Sequence, residues 1–132
     1  MLTREMFIRG FMRVELDGFK EAIKKAKDVV EKIETEDVLN KPVIYFQISP
    51  DRTILRLKIY DEDNGLKEIG SAEIIEFAGE GEYRDIEIRD VSDIYDFINQ
   101  FEKESSLDGV ICMFFSVKKV IINVDNDCLI VY

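Results

Sequence analysis

Carboxylates are the most abundant reactive groups in this chain: 28 Asp and Glu stand against 18 Lys and Arg, and there is no His. Without His, the usual general base and the commonest transition-metal ligand are missing. Two acidic runs have the composition of a cation site, Asp61-Glu62-Asp63-Asn64-Gly65 and Asp125-Asn126-Asp127. The first does not follow calcium-loop spacing and its Gly is misplaced. Both read as hairpin turns, the first because Asn-Gly accepts positive φ. No G-x-S-x-G, phosphate-binding loop or G-x-G-x-x-G is present. Cys112 and Cys128 each sit in an apolar, strand-like run and form no C-x-x-C pair. They read as buried free thiols of a reducing compartment, with a disulfide between neighbouring strands as the alternative. The residue types select no catalytic group, no metal ligand and no cofactor, and the chain reads as non-enzymatic.

Basic residues cluster once. Lys20, Lys24 and Lys27 fall within ~60° of one another on a helix. Such a stripe could face a phosphate backbone, but Glu21, Asp28, Glu31 and Glu34 share its polar arc. The alternative is a solvated, salt-bridged face. The net charge of −10 removes long-range attraction to nucleic acid as a default, and it suits solubility and basic protein partners.

The elements that would carry these residues follow from periodicity. Met6 to Leu16 alternates, with Met12, Val14 and Leu16 on one side and Phe11, Arg13 and Glu15 on the other, which is a half-buried strand. At Asp17 the period changes. Phe19, Ala22, Ile23, Ala26, Val29, Val30 and Ile33 fill one arc of about 120°, predicting a helix over 17–34 capped by Asp17. Strands are predicted at Val43 to Ser49, Thr53 to Tyr60 and Leu66 to Phe77, the last bent at Gly70. Ser49-Pro50-Asp51-Arg52 is a turn. After a joint at Gly79 to Glu82, the spacing predicts a strand at Tyr83 to Arg89. A helix follows, with an apolar stripe of Val91, Ile94, Tyr95, Phe97, Ile98 and Phe101. Strands follow at Val110 to Val117, Val120 to Val124 and Cys128 to Tyr132, with Lys118-Lys119 as a tight turn. Phe114 and Phe115 are adjacent in one strand and must point to opposite faces.

The order is thus β-α-β-β-β twice: an α+β domain of 132 residues with half-units at about 6–78 and 83–132 and both helices on one side of antiparallel sheets. No run approaches the roughly 20 apolar residues that span a bilayer, and no signal core opens the chain. A cytoplasmic protein, or a nuclear one in a eukaryote, is expected.

This element order resembles a domain of the DNA polymerase sliding clamp family, which includes the bacterial β clamp and proliferating cell nuclear antigen. The resemblance covers about residues 6–132. Phe19-Lys20-Glu21-Ala22-Ile23 is similar to that family's first helix, and Ile54-Leu55-Arg56-Leu57-Lys58-Ile59-Tyr60-Asp61 to its apolar strand ending in Asp. Ile59 and Tyr60 stand where the family has a small residue before that Asp. The stretch Ile86 to Ile98 resembles its strand running into the second helix. The resemblance implies a processivity factor of DNA replication or repair, acting by assembly and protein binding. Lys20, Lys24 and Lys27 would face DNA, and the last strand, Cys128, Leu129, Ile130, Val131 and Tyr132, would be an assembly edge. Expected partners are polymerase or clamp-loader-like peptides, or further copies, around non-specifically encircled DNA. Family rings hold six such domains from chains of two or three; this chain supplies one. Asp93, Asp96, Glu102 and Glu104 against Lys103 make the second helix anionic, which favours the rival reading of a small acidic binding protein that mimics nucleic acid on a basic partner surface.

Overall fold

The computed structural model describes residues 10–36, 43–61, 65–79, 86–88, 91–101, 109–115, 120–124 and 127–131. The elements are β1 (Gly10–Glu15), α1 (Leu16–Glu36), β2 (Ile44–Ile48), β3 (Ile54–Asp61), β4 (Gly65–Gly79), β5 (Ile86–Ile88), α2 (Val91–Asn99), β6 (Val110–Phe115), β7 (Val120–Val124) and β8 (Asp127–Val131). The predicted positions at Asp37 to Pro42, Glu80 to Glu82, Lys118-Lys119, Asp125-Asn126, Glu102 to Glu104 and Tyr132 lie outside the described residues.

Eight strands form one sheet in the order β5-β2-β3-β4-β1-β6-β7-β8. Every pairing is antiparallel. The chain is therefore a mixed α+β fold. β4 is the long member, 15 residues. Its first part pairs with β3 and its second with β1. Two register shifts accompany this change of partner, one opposite Leu57/Lys58 and one opposite Arg13/Val14. Ile69 and Ile75 are the extra residues, and such bulges bend and twist a strand, so the sheet curls around its helices.

The inner face is apolar because the predicted alternation holds. Met12, Val14, Ile44, Phe46, Leu55, Leu57, Ile111, Met113 and Ile122 are all fully buried. α1 lays Phe19, Ala22, Ile23, Ala26 and Val30 on this face, and α2 adds Val91, Ile94 and Ile98. Phe19 and Phe46 meet edge-to-face with ring centroids 6.0 Å apart, a favoured aromatic geometry. α1 crosses β4 so closely that a Cβ on Gly70 would meet the Cα and Cβ of Ala22 at 2.9 Å. Gly70 is thus required by the approach of the helix, and it stands beside the bulge at Ile69, next to the predicted bend.

α1 begins at Leu16, one residue before the predicted start. The Leu16 N–H donates to the Gly109 carbonyl at 2.8 Å, so a neighbouring segment satisfies one of the first turn's open N–H groups. Asp17 lies inside that turn, where its charge favours the positive end of the helix dipole. Gly65 opens β4 at φ 74°, as the Asn64-Gly65 signal predicts.

Candidate interaction surfaces

Three surfaces carry the residues with chemistry: the groove between the helices, the outer face of the sheet, and the sheet's two ends. Among the described residues, no three His, Cys, Asp or Glu side chains converge as metal ligands would. No helix there is long and apolar enough to cross a membrane.

The three lysines of the predicted stripe lie along the α1–α2 groove but differ in what they do. The Lys20 ammonium donates to the Phe101 carbonyl just past the end of α2. The Lys27 ammonium sits 4.2 Å from the centroid of the Tyr95 ring and 3.5 Å from the Glu31 carboxylate. Both are half-buried, and both tie α1 to α2. Lys24 is exposed. It borders a cleft of about 320 Å³ floored by Ile23 and Ile98, where Asp17, Lys20 and Glu21 also stand. Opposite charges line this cleft together, so its local field is mixed. On α2, Asp93 and Asp96 are exposed.

The outer face of the sheet differs from one side of β4 to the other. Around β2 and β3 it is mostly polar: one row runs Glu87, Tyr45, Lys58, Glu68, and the next Gln47, Arg56, Ser71, while Tyr60 and Leu66, a register pair on the same face, are exposed. Arg56 reaches Glu68 at 3.5 Å. Around β1, β6 and β7 one row is apolar, Ala78, Phe11, Phe114, Ile121, its register continuing to Ile130 of β8, and the next is polar, Glu76, Arg13, Cys112, Asn123, with Arg13 3.4 Å from Glu76. The Phe11 and Phe114 rings lie 5.1 Å apart, and Phe11, Phe114 and Ile121 are half-buried. Sequence reasoning put Phe11 on this face but did not join it to Phe114; shared parity in two neighbouring strands was the available signal.

The strand named from sequence as an assembly edge is terminal: β8 pairs with β7 alone among the described residues, and β5 ends the sheet on the other side. Cys112 is a half-buried thiol that forms no disulfide. Cys112 and Cys128 both have Asn123 as register partner, from opposite sides. Two strand spacings, about 9–10 Å, separate them, beyond the reach of a disulfide.

A polar turn, read from sequence only as Pro50 chemistry, proves to be a network. The Ser49 hydroxyl accepts from the N–H groups of Thr53 and Ile54 at 3.1 and 3.0 Å and donates to the Asp51 carboxylate at 2.6 Å. The Thr53 hydroxyl donates to Asp51 at 2.7 Å. These bonds hold the Asp51 carboxyl below its ordinary pKa, the Ser49 hydroxyl contributing most. Arg52 takes φ 60°, and its guanidinium lies 4.7 Å from the centre of the Phe77 ring. The network satisfies Ser49, the buried polar residue of the described core, and fixes the β2–β3 turn.

The fold and these surfaces define a curled antiparallel sheet wrapped on two helices, and a polar cleft of about 340 Å³ lies between α1 and β4, lined by Glu21, Lys25, Glu68 and Ser71. Comparison with protein-family models, with curated proteins and with solved structures returned no match.

Proposed function

We propose that this chain is a non-enzymatic, sliding-clamp-like domain that serves DNA replication or repair by assembling with other domains and docking protein partners. The observation that carries this is strand exchange between the halves: β1 pairs with β6, and β5 pairs with β2. The opening strand of each β-α-β-β-β half is thus completed by the second strand of the other half. Exchanging the halves maps β1–β6 onto β5–β2, while β4–β1 maps onto β8–β5, the two ends of the sheet. A two-unit plan of this kind is the one the clamp comparison implies, with paired helices inside and sheet edges free to join further domains. Of the three candidate DNA-facing lysines, Lys24 has its charge exposed, while Lys20 and Lys27 support the groove wall, so any DNA contact is weak and held by topology more than affinity.

Retention on DNA tests this directly. The protein, with whatever loader its source supplies, is expected to stay on nicked circular DNA through a high-salt wash and to leave once the circle is linearised. Retention that ignores topology, or none on either form, contradicts the proposal.

A second reading rests on the acid exposed around the groove, Asp17, Glu21, Asp28, Glu31, Asp93 and Asp96. A nucleic-acid mimic would use that surface to occupy a basic protein. It predicts that the chain displaces duplex DNA from a basic partner in a salt-dependent competition, and that Asp93→Lys with Asp96→Lys abolishes the displacement.

A further inference from the structure

The two helices are pinned together at two points. The Lys20 ammonium donates to the Phe101 carbonyl at one, and the Lys27 ammonium lies over the Tyr95 ring at the other. Positions fall on the second segment as they rise on the first, so α1 and α2 run antiparallel. Lys20 and Tyr95 are also walls of the cleft of about 320 Å³ between the helices. The ties therefore set the shape of the cleft before anything enters it, and its volume is that of a small-ligand site.

The charges of this cleft are ordered. Asp17 and Glu21 lie toward the start of α1, and Lys24 lies one to two turns further on, roughly 5–10 Å along the helix axis. Lys20, between them, is engaged with the end of α2. Glu21 and Lys24 are exposed, and among the described residues neither is in an ion pair. A simple anion here would meet two carboxylates, and a simple cation two ammonium groups. Only a molecule that carries both charges complements both ends of the cleft. A free amino acid holds its charges on one carbon, too close together to span them. Two or three residues of extended chain reach roughly 7–10 Å, which matches the spacing.

We propose that the α1–α2 cleft binds a short peptide of two or three residues as its zwitterion, with the ammonium toward Glu21 and Asp17 and the carboxylate toward Lys24. The body of the peptide lies along the Tyr95 ring and the apolar stem of Lys20. The exposed Asn99 amide offers its peptide group a donor and an acceptor. This site is independent of the clamp reading and requires neither DNA nor a second copy of the chain.

Alanyl-leucine and its two end-blocked forms test the proposal on the whole chain, followed by NMR. Alanyl-leucine is expected to shift the amide signals of the cleft residues, and the Tyr95 ring signals, in a saturable way. N-acetyl-alanyl-leucine has lost the ammonium, and alanyl-leucine amide has lost the carboxylate. Each is expected to bind roughly two- to fivefold more weakly, the worth of one exposed ion pair. Lys24→Gln should erase the difference between alanyl-leucine and its amide while keeping the difference from the acetylated form. Glu21→Gln should shrink the second difference and keep the first. Both side chains are exposed, so neither substitution touches the core. No saturable shift, shifts centred outside the cleft, equal binding of the three forms, or discrimination that survives both substitutions overturns the proposal.

Discussion

The two outer faces of one sheet make the most instructive contrast in this molecule. β2, β3 and the first part of β4 share an apolar inner core with β1, β6 and β7, yet their outer rows differ: Tyr45, Lys58 and Glu68 on one side, Phe11, Phe114 and Ile121 on the other. Each half is crossed by an ion pair, Arg56–Glu68 on the first and Arg13–Glu76 on the second. The second continues in register to β8, whose one charged residue is Asp127. Neither half is uniform: the row beside Phe11 and Phe114 carries the Arg13–Glu76 ion pair at 3.4 Å, and the half of Lys58 and Glu68 exposes Tyr60 and Leu66.

The largest effect sets the baseline. Phe46, inside the polar-faced half, is fully buried against Phe19; Phe46→Ala is expected to cost about 3–5 kcal/mol in chemical denaturation. Next is Gly70→Ala, on the same half, where the added methyl must displace the α1 backbone at Ala22. An overpacking cost of about 1–3 kcal/mol is expected, and a neutral result would show that α1 lies farther from β4. On the apolar half, Phe114→Ala should cost about 1 kcal/mol, largely the lost aromatic pair with Phe11. A loss as large as that of Phe46→Ala would mean that this face is core and break the contrast. Lys27→Ala, which removes the cation over Tyr95, should cost about 0.5–1 kcal/mol by loosening α1 from α2.

A smaller, pH-dependent effect belongs to the β2–β3 turn. Asp51 has its folded pKa lowered by Ser49 and Thr53. Its stabilising contribution is therefore complete above the pKa of the unfolded carboxyl and is lost as pH falls through the lower, folded value. Asp51→Asn should flatten the acid limb of the stability–pH curve; an unchanged limb would show that the carboxylate does not hold the turn.

Much of this architecture is legible in the residues themselves. The switch of period at Asp17 marks the end of a strand and the start of a helix, and Asn64-Gly65 places a hairpin, because both are local physics. The Cys128 edge is legible because the last strand of a meander has one neighbour. What escapes is everything made by distant pairs. Lys20 and Phe101 are 81 positions apart, so the lysine that binds the end of α2 looks in sequence like any other member of a basic stripe. Gly70 reads as a bend, which the bulge beside it at Ile69 matches, but that α1 also lies on it is not legible locally. The bulges at Ile69 and Ile75 shift the alternation of β4, so its outer face cannot be followed from parity alone. The outer row from Phe11 to Ile121 needs the strand order, since β1 and β6 are neighbours across nearly the whole chain.

The claim that this protein works by joining its sheet edges is tested most directly by its mass in solution. Light scattering over a range of concentrations is expected to give an even multiple of the 15.4 kDa chain, reverting to the single chain when Ile130→Lys places a charge on β8. A mass of 15.4 kDa at every concentration, with the unaltered β8, would contradict it.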